Sequence, residues 1–423
     1  MNSRERVQAA LEHRQPDRVP IDFGATAVTG ISASAVYKLR VALGLHKPGE
    51  RVKVIEPYQM LGEVDDALAA RLGVDCVELG ARKTFFGFAN VGWKPWTLHD
   101  GTPVWVPEAF NTTPEPNGDI LMYPEGDRSA PPSGRMPAGG FYFDSIIRQP
   151  PIDESRLNVA DNLEEFSLIT DEELADYERR AEHLYRNTDR AIVGSFGGTS
   201  FGDIALVPAP WLKHPKGIRD VAEWYMSALT RPAYIREVFE RQADIALQNL
   251  ALIHQAVGNR VSVIFVTGTD FGTQRALFIS PDVYRELYAP VHRRVNDWVH
   301  RHTTWKTFIH SCGAVEPLIG DFIAVGFDIL NPVQFSAAGM DPQRLKDKYG
   351  DRIVFWGGGV DTQHTLAFGT PDEVRAEVRR QIAILGAGGG MVFNAVHNVQ
   401  ATTPTENLMA MVEALQEEIA ATS

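Results

Sequence analysis

A histidine and a cysteine two residues apart, His310 and Cys312, follow a short apolar segment of the chain. Side chains at positions i and i+2 of a strand lie on the same side, so the imidazole and the thiol leave the strand end together. Nitrogen and sulfur donors are the ligands that Zn²⁺ prefers in proteins. The pair therefore predicts part of a zinc site. The alternative is a buried cysteine beside an unrelated histidine, because Cys is one of the most buried residue types.

Eight short apolar runs bounded by turn residues alternate with segments of helical periodicity. Most of the runs are apolar throughout, which is typical of parallel strands buried on both faces. This alternation predicts an α/β protein with a (β/α)8 TIM barrel; the alternative is a doubly wound open sheet, which lacks support because no Gly-x-Gly-x-x-Gly turn follows the first run. The predicted strands are 18–23, 75–79, 191–194, 261–266, 305–310, 327–331, 353–356 and 391–395, and the main predicted helices are 32–45, 59–72, 171–186, 231–257, 281–302, 317–325 and 371–385, with a last helix after Pro404.

Residues from about 90 to 164 interrupt this alternation. The segment is rich in Pro, Gly, Trp and Tyr and has little helical period. We expect a single barrel domain over 1–423 with a small β-rich cap inserted here, after the second strand. Ordered loops of this length are usually functional, so the cap is expected to act as a lid or as a partner-facing element beside the barrel mouth.

Composition limits the class of partner. The formal net charge of −13 argues against a nucleic-acid surface. No apolar run reaches the roughly 18 residues needed to span a bilayer. Cys76 and Cys312 are the only cysteines, so there is no disulfide framework, which fits a reducing cytoplasm. We therefore expect a cytoplasmic protein that binds neither nucleic acid nor membrane.

Polar residues collect after the last five predicted strands, at the end where a barrel of this kind forms its active site. His397, after the eighth strand, is the natural third zinc ligand; the alternative is a histidine packed under the rim. The fourth position is left to Asp270, Gln334, water or substrate, because catalytic zinc sites keep an exchangeable position. The other polar residues after these strands are Gln274, Asn331, Asn398 and Gln400.

Several motifs resemble those of the uroporphyrinogen decarboxylase-like superfamily, which includes the decarboxylase itself and the zinc-dependent corrinoid methyltransferases. They are Phe-Ile-His-Ser-Cys-Gly at 308–313, Gly-Phe-Asp-Ile-Leu at 326–330, Trp-Gly-Gly-Gly-Val-Asp at 356–361 and Thr-Pro-Thr-Glu-Asn at 403–407. The resemblance covers nearly the whole chain apart from the insertion. It implies the same eight-stranded barrel.

The resemblance is nearer to the methyltransferase branch. The decarboxylase branch carries arginines after its first strand to grip substrate carboxylates, and residues 21–28 contain no arginine. The methyltransferase branch holds zinc with a His-x-Cys pair on strand five, matched by His310 and Cys312, and with a cysteine after strand eight. Here His397 stands where that cysteine is expected, and Gln334 corresponds roughly to an acidic ligand position.

The resemblance and the residues together imply a zinc-dependent methyltransferase. It would move a methyl group between a small, methoxylated substrate and a corrinoid (cobalamin) carried by a separate protein that docks over the barrel mouth. A ligand set with one thiolate is chemically harder than a set with two and leaves zinc more electrophilic. This favours activation of an oxygen over activation of a thiol. Asp270, as acid, base or further ligand, and His397 are the expected catalytic residues. Substrate binding or ligand orientation is expected from Gln274, Asn331, Gln334, Asn398 and Gln400.

Two alternatives remain at the level of the sequence. One is a decarboxylase or other lyase on the same barrel, acting on a non-porphyrin substrate with His397 and Asp270 as proton donors and no metal. The other is a non-catalytic barrel that binds a small molecule. The sequence leaves a homodimer open.

Overall fold

The computed structural model describes residues 1–421 as an α/β protein built on a curled sheet of seven parallel strands, in the order β15-β14-β13-β12-β11-β10-β3. The strands in chain order are β1 (Val52–Glu56), β2 (Leu61–Gly62), β3 (Cys76–Gly80), β4 (Trp93–Thr97), β5 (Pro103–Pro107), β6 (Thr112–Pro114), β7 (Ile120–Met122), β8 (Gly134–Met136), β9 (Asp144–Ser145), β10 (Ala191–Ser195), β11 (Val261–Thr267), β12 (Lys306–His310), β13 (Ile329–Asn331), β14 (Val354–Trp356) and β15 (Met391–Val392).

Helices cover the outside of this sheet. Between Val283 and Ala289 the chain also forms a π-helical turn, Tyr284–Tyr288. None of the helices in the described residues is both apolar and long enough to span a bilayer. The helices are α1 (Ser3–Leu11), α2 (Ala33–Ala42), α3 (Asp66–Leu72), α4 (Asp171–Asn187), α5 (Val221–Thr230), α6 (Pro232–Val257), α7 (Pro281–Val283), α8 (Ala289–His302), α9 (Glu316–Ala324), α10 (Pro342–Tyr349), α11 (Thr365–Phe368), α12 (Pro371–Leu385) and α13 (Thr405–Ala420).

The predicted first strand, 18–23, closes the sheet as a short bridge. Ile21 pairs in parallel with Phe393, just after β15, and the Asp22 N–H donates to the Phe393 carbonyl at 2.8 Å. On the other side, the Asp75 N–H donates to the Ile21 carbonyl at 2.7 Å, just before β3. The segment therefore joins the two edges of the seven-stranded sheet, and the predicted barrel fold is confirmed.

The segment predicted as an inserted cap contributes strands to two small sheets, of which one lies wholly within it and the other also contains earlier strands. β4 and β5 pair with each other, and β5 also pairs in parallel with β1, which comes before the second barrel strand. β6 to β9 form a second, antiparallel sheet. The helix predicted at 59–72 begins only at Asp66, where the Asp65 side chain accepts from the Leu68 N–H as an N-cap.

A buried ion cluster anchors the seam where the sheet closes. Asp75 is fully buried and accepts from Arg6 Nη1 and Arg18 Nη1, each at 2.7 Å. Its Oδ2 also accepts from the Ile21 N–H at 2.9 Å. Every oxygen of this carboxylate is thus used to hold the first-strand segment and α1 against the start of β3. Removing one charge from such a cluster leaves the opposite charges buried without compensation.

We predict that Asp75→Asn lowers the free energy of unfolding by about 3–5 kcal/mol, the loss typical of a broken buried ion pair. Urea unfolding followed by circular dichroism measures the change. The control is Asp66→Asn, whose carboxylate is 93% exposed and pairs with Arg190 at 3.0 Å; exposed pairs contribute at most about 1 kcal/mol. Equal stability losses in the two variants would contradict the role of Asp75.

Candidate metal centre

Three donor groups meet at the carboxyl end of the sheet. His310 is the last residue of β12, Cys312 follows two positions later, and His397 lies in the loop after β15. One ligand atom from each of the three lies within 4.8 Å of the others. Cys312 Sγ is 3.4 Å from His310 Nε2, and the two imidazole rings meet edge to face at 5.5 Å. Residues from distant parts of the sequence therefore form one compact N₂S donor set.

Asn331, at the end of β13, fixes the orientation and the tautomer of His310. Its Nδ2 donates to the Trp356 carbonyl at 2.7 Å, so its Oδ1 must face the imidazole. His310 Nδ1 lies 2.5 Å from that oxygen and carries the proton as donor. The lone pair is thereby left on Nε2, the nitrogen that faces Cys312. A ligand histidine held through its other nitrogen is the usual arrangement in metal sites.

Burial sets the protonation states of the donor groups. It lowers the pKa of both His310 and His397 to about 4, so both imidazoles are neutral at physiological pH and have a lone pair to offer. Burial, reinforced by Asp270, raises the pKa of Cys312, so a bound cation must displace the thiol proton. Among the described residues, nothing hydrogen-bonds the ring nitrogens of His397. Two neutral imidazoles and one thiol fit Zn²⁺.

Asp270 lies beside the donor set on a tightly held turn after β11. Its Oδ1 accepts from the Cys312 N–H at 2.6 Å and is 3.8 Å from His310 Nε2. The Tyr225 hydroxyl donates to its backbone carbonyl. Burial raises the pKa of the Asp270 carboxyl. The side chain is close enough to accept a proton from the site or to act as a further ligand after a small movement.

A close contact between two loops keeps Asp270 and Cys312 together. Gly313 has φ of +90°, and a Cβ there would lie 2.4 Å from the Gly272 backbone. Only glycine allows both this conformation and this approach. The loops after β11 and β12 therefore touch through their backbones, next to the donor set.

A cavity of about 220 Å³ opens in front of Cys312 and His397. It continues into a groove of about 820 Å³, which shares His397 with it and is also lined by Tyr142, Phe368 and Gln400. Of the predicted polar residues, the structure places Gln274, Gln334 and Gln400 at these walls. The residues that line the cavity are Gly272, Thr273, Gln274, Cys312, Gly313, Gln334, Thr362, Gln363, Val396 and His397.

Asn331 and Asn398 do not line the cavity. Both are fully buried. Asn398 Oδ1 accepts from the Gly30 N–H at 2.6 Å, and its Nδ2 donates to Gln59 Oε1 at 2.7 Å and to the Ala27 carbonyl at 2.9 Å. It ties the loop that carries His397 to the chain after the first strand, so orientation is the role that its contacts support.

The sequence reading did not single out Asp203 and Gln363. Asp203 is buried, and its Oδ1 accepts from the Ala205 N–H at 3.0 Å. Burial and the nearby Asp270 raise the pKa of Asp203 to about 7. Gln363 lies two residues after Asp361 in the loop after β14. Its position after a strand end is the one feature of the sequence that could have indicated a place near the site.

The family of the chain follows from its second half. Residues 204–418, just over half of the chain, match the family model described as "Uroporphyrinogen decarboxylase (URO-D)". The chain belongs to the URO-D family. The matched range contains β11 to β15 and all three donor residues, and it lies outside the two small sheets.

Curated relatives in the URO-D family match over a shorter stretch. A uroporphyrinogen decarboxylase from Psychromonas ingrahamii is 33% identical over 78 residues, which is 18% of this chain and 21% of the relative. One from Alkalilimnicola ehrlichii is 32% identical over 74 residues, 18% of this chain and 20% of the relative. The chain thus spans about a fifth of the length of these relatives.

A solved structure shares the fold over nearly the whole URO-D chain. It is a methyltransferase from Methanosarcina mazei, with a TM-score of 0.53 and 16% sequence identity, covering 99% of each chain. At this identity the likeness concerns the fold. It extends the barrel assignment beyond the residues that the family model matches.

We predict about one Zn²⁺ per chain in protein purified without added metal, and loss of the metal in Cys312→Ala, because the thiolate is the strongest zinc donor of the set. Elemental analysis measures the content. Cys76→Ala is the matched control, since Cys76 is a buried core residue of β3, only 3% exposed. Full zinc in Cys312→Ala would contradict the ligand assignment.

Asn331→Ala is predicted to weaken zinc binding by about 10- to 100-fold, the usual effect of removing the group that orients a ligand histidine. Competition with a chromophoric chelator measures the affinity. The thermal unfolding of the zinc-free variant separates this effect from misfolding. Unchanged zinc affinity would show that His310 keeps its orientation without the Asn331 bond.

Proposed function

We propose that this protein is a zinc-dependent methyltransferase that moves a methyl group between a small methoxylated substrate and a corrinoid held by a separate protein. The observation that carries the proposal is the convergence of His310, Cys312 and His397 within 4.8 Å of one another, with Cys312 and His397 lining an open cavity. Membership of the URO-D family is consistent with it, and so is the fold shared with a protein named as a methyltransferase.

The protein's own groups supply orientation and a defined pocket. His310, Cys312 and His397 would hold Zn²⁺, with Asn331 keeping the Nε2 lone pair of His310 directed at the metal. Zinc would act there as a Lewis acid that polarises the substrate heteroatom. Asp270, 3.8 Å from His310 Nε2, is placed to take up or return a proton at its carboxylate. The cavity in front of the donors would position the methyl donor.

The composition of the donor set favours oxygen as the activated atom. A site with one thiolate and two neutral imidazoles keeps a higher net positive charge than a site with two thiolates. A more positive centre polarises an ether or hydroxyl oxygen more strongly. This is the reason for proposing a methoxylated substrate.

The groove beyond the cavity supports a large second reactant. At about 820 Å³ it is several times the volume of the inner cavity, and the Phe368 side chain beside it is 85% exposed. Tyr142, which also lines the groove, is 49% exposed, and aromatic residues are enriched at protein interfaces. A corrinoid protein docked over this groove would bring its cofactor to the mouth of the cavity.

A metal-independent decarboxylase is the second candidate, because the curated relatives carry that name. The structure offers little to bind a polycarboxylate. Arg6 and Arg18 pair with Asp75 at the opposite end of the strands, and no Lys or Arg is among the described residues that line the cavity. Formation of coproporphyrinogen by zinc-free protein would favour this candidate.

We predict that His397→Cys keeps zinc but lowers methyl transfer, because a second thiolate donates charge to the metal and weakens the polarisation of an oxygen. His397→Ala is expected to lose zinc affinity. Zinc content and methyl transfer to free cobalamin, measured for both variants and the wild type, test the two effects together. Full zinc and full activity in His397→Ala would make His397 a packed rim residue.

A further inference from the structure

Asp22, at the closing seam of the barrel, is bonded to both segments that position the imidazoles of the metal centre. The residue is fully buried. Its Oδ2 accepts from Trp356 Nε1 at 2.9 Å, and its backbone carbonyl accepts from Asn394 Nδ2 at 2.8 Å. Trp356 is the last residue of β14, and Asn394 comes three positions before His397. One residue therefore joins the strand end that orients His310 to the loop that carries His397.

The path toward His310 runs through a strand end with few side chains to hold it. The Trp356 carbonyl accepts from Asn331 Nδ2 at 2.7 Å, and the Asn331 oxygen faces His310 Nδ1. Three glycines, 357–359, follow directly, and φ is +94° at the first of them. Glycine has no side chain to pack and restricts the backbone least. The Trp356 indole is thus the last side chain that can fix this carbonyl, and its N–H ends on Asp22.

The Asp22 carboxylate has one acceptor for each of two neighbouring donors. Oδ2 receives the Trp356 indole N–H, and Oδ1 receives the Ala25 N–H at 2.9 Å. Alanine at this position would leave both donors buried without a partner, which is costly. Asparagine would still offer one amide oxygen to the indole. The two substitutions therefore differ in whether the indole keeps its anchor.

We propose that Asp22 is a positioning residue for the metal centre, which it orders by fixing the Trp356 indole and the Asn394 side chain. The inference rests on the proposed function for the identity of the metal ligands. It adds that zinc affinity depends on a residue at the closing seam that lies outside the donor set. By linkage, bound zinc must in turn stabilise the seam around Asp22.

Zinc affinity tests this role, measured by competition with a chromophoric chelator on variants that circular dichroism shows to be folded. The assay is run at pH 8, where Asp22 is ionised, because burial raises its pKa only to about 6. Asp22→Ala is expected to weaken zinc binding by about threefold to tenfold, less than the loss usual for a direct partner of a ligand histidine. Asp22→Asn is expected to lose less than Asp22→Ala. Unchanged affinity in Asp22→Ala would overturn the proposal.

Asp176→Ala is the matched control for general loss of stability. Asp176 lies on α4, outside the barrel, and is also a buried carboxylate, 9% exposed. It accepts from Arg82 Nε at 2.8 Å and from Arg180 Nε at 2.7 Å. Its removal is expected to destabilise the fold and leave zinc affinity unchanged. A loss of zinc affinity equal to that of Asp22→Ala would overturn the proposal.

Trp356→Phe tests whether the effect passes through the indole. It removes the N–H and leaves a ring to pack on Phe308, which the indole meets edge to face at 5.5 Å. If the bond to Asp22 carries the effect, the double variant Asp22→Ala/Trp356→Phe binds zinc no more weakly than the weaker-binding single variant. Independent losses would multiply in the double variant, and that result would overturn the proposed path.

The reciprocal effect is measurable in the wild type, without any substitution. Deuterium exchange of peptides covering 21–31 is compared between zinc-free and zinc-loaded protein. This segment contains the Ala25 N–H, bonded to Asp22, and the Asp22 N–H, bonded to the Phe393 carbonyl at 2.8 Å. Zinc is expected to slow its exchange by about threefold or more, the reciprocal of the effect on affinity. Equal exchange in the two states would overturn the proposal.

The outcomes separate this inference from the proposed function. Zinc binding that depends on Asp22, without methyl transfer to a corrinoid, contradicts only the proposed function. Methyl transfer with zinc affinity unaffected by Asp22→Ala contradicts only the role of Asp22. A wild-type protein that binds no zinc overturns both.

Discussion

A chain of buried hydrogen bonds across the carboxyl ends of the strands is the constraint on which the site depends. His310 Nδ1 donates to Asn331, and Asn331 donates to the Trp356 carbonyl, so one carboxamide joins β12, β13 and β14. Trp356 Nε1 continues the chain to Asp22 Oδ2 at 2.9 Å, and the Asn394 side chain donates to the Asp22 carbonyl at 2.8 Å. This series of hydrogen bonds thus runs from the middle of the sheet to its closing seam. A change in strand register would break it and move His310 away from Cys312 and His397.

The same burial that orients these groups determines their chemistry. Taking an imidazole out of water disfavours its charged form, which is why the pKa values of His310 and His397 fall to about 4. A buried neutral imidazole with a free lone pair is energetically costly unless something accepts from it or binds it. The Nδ1–H of His310 is satisfied by its hydrogen bond to Asn331. A bound cation would accept the lone pairs that remain on the two imidazole rings. The geometry and the solvation of the site therefore favour the same occupant.

Much of the fold could be predicted from the sequence because local patterns specify it. Runs of apolar residues marked the strands, and capping residues such as Thr370, whose side chain accepts from the Glu373 N–H, marked helix starts. The pairing of β1 with β5 could not be predicted in this way. It joins Val52 to Val104, two residues that lie on either side of barrel strand β3 in the sequence. No local pattern encodes a parallel pairing between such distant segments.

The site shows the same division between local and non-local information. The His310–Cys312 pair was visible because two residues on one strand share a face. The role of Asn331 depends on which neighbouring strand end its side chain meets, and that is set by sheet order and by the direction of single hydrogen bonds. Asn331 could be expected to lie at the rim, but its bond to the Trp356 carbonyl turns its oxygen toward His310.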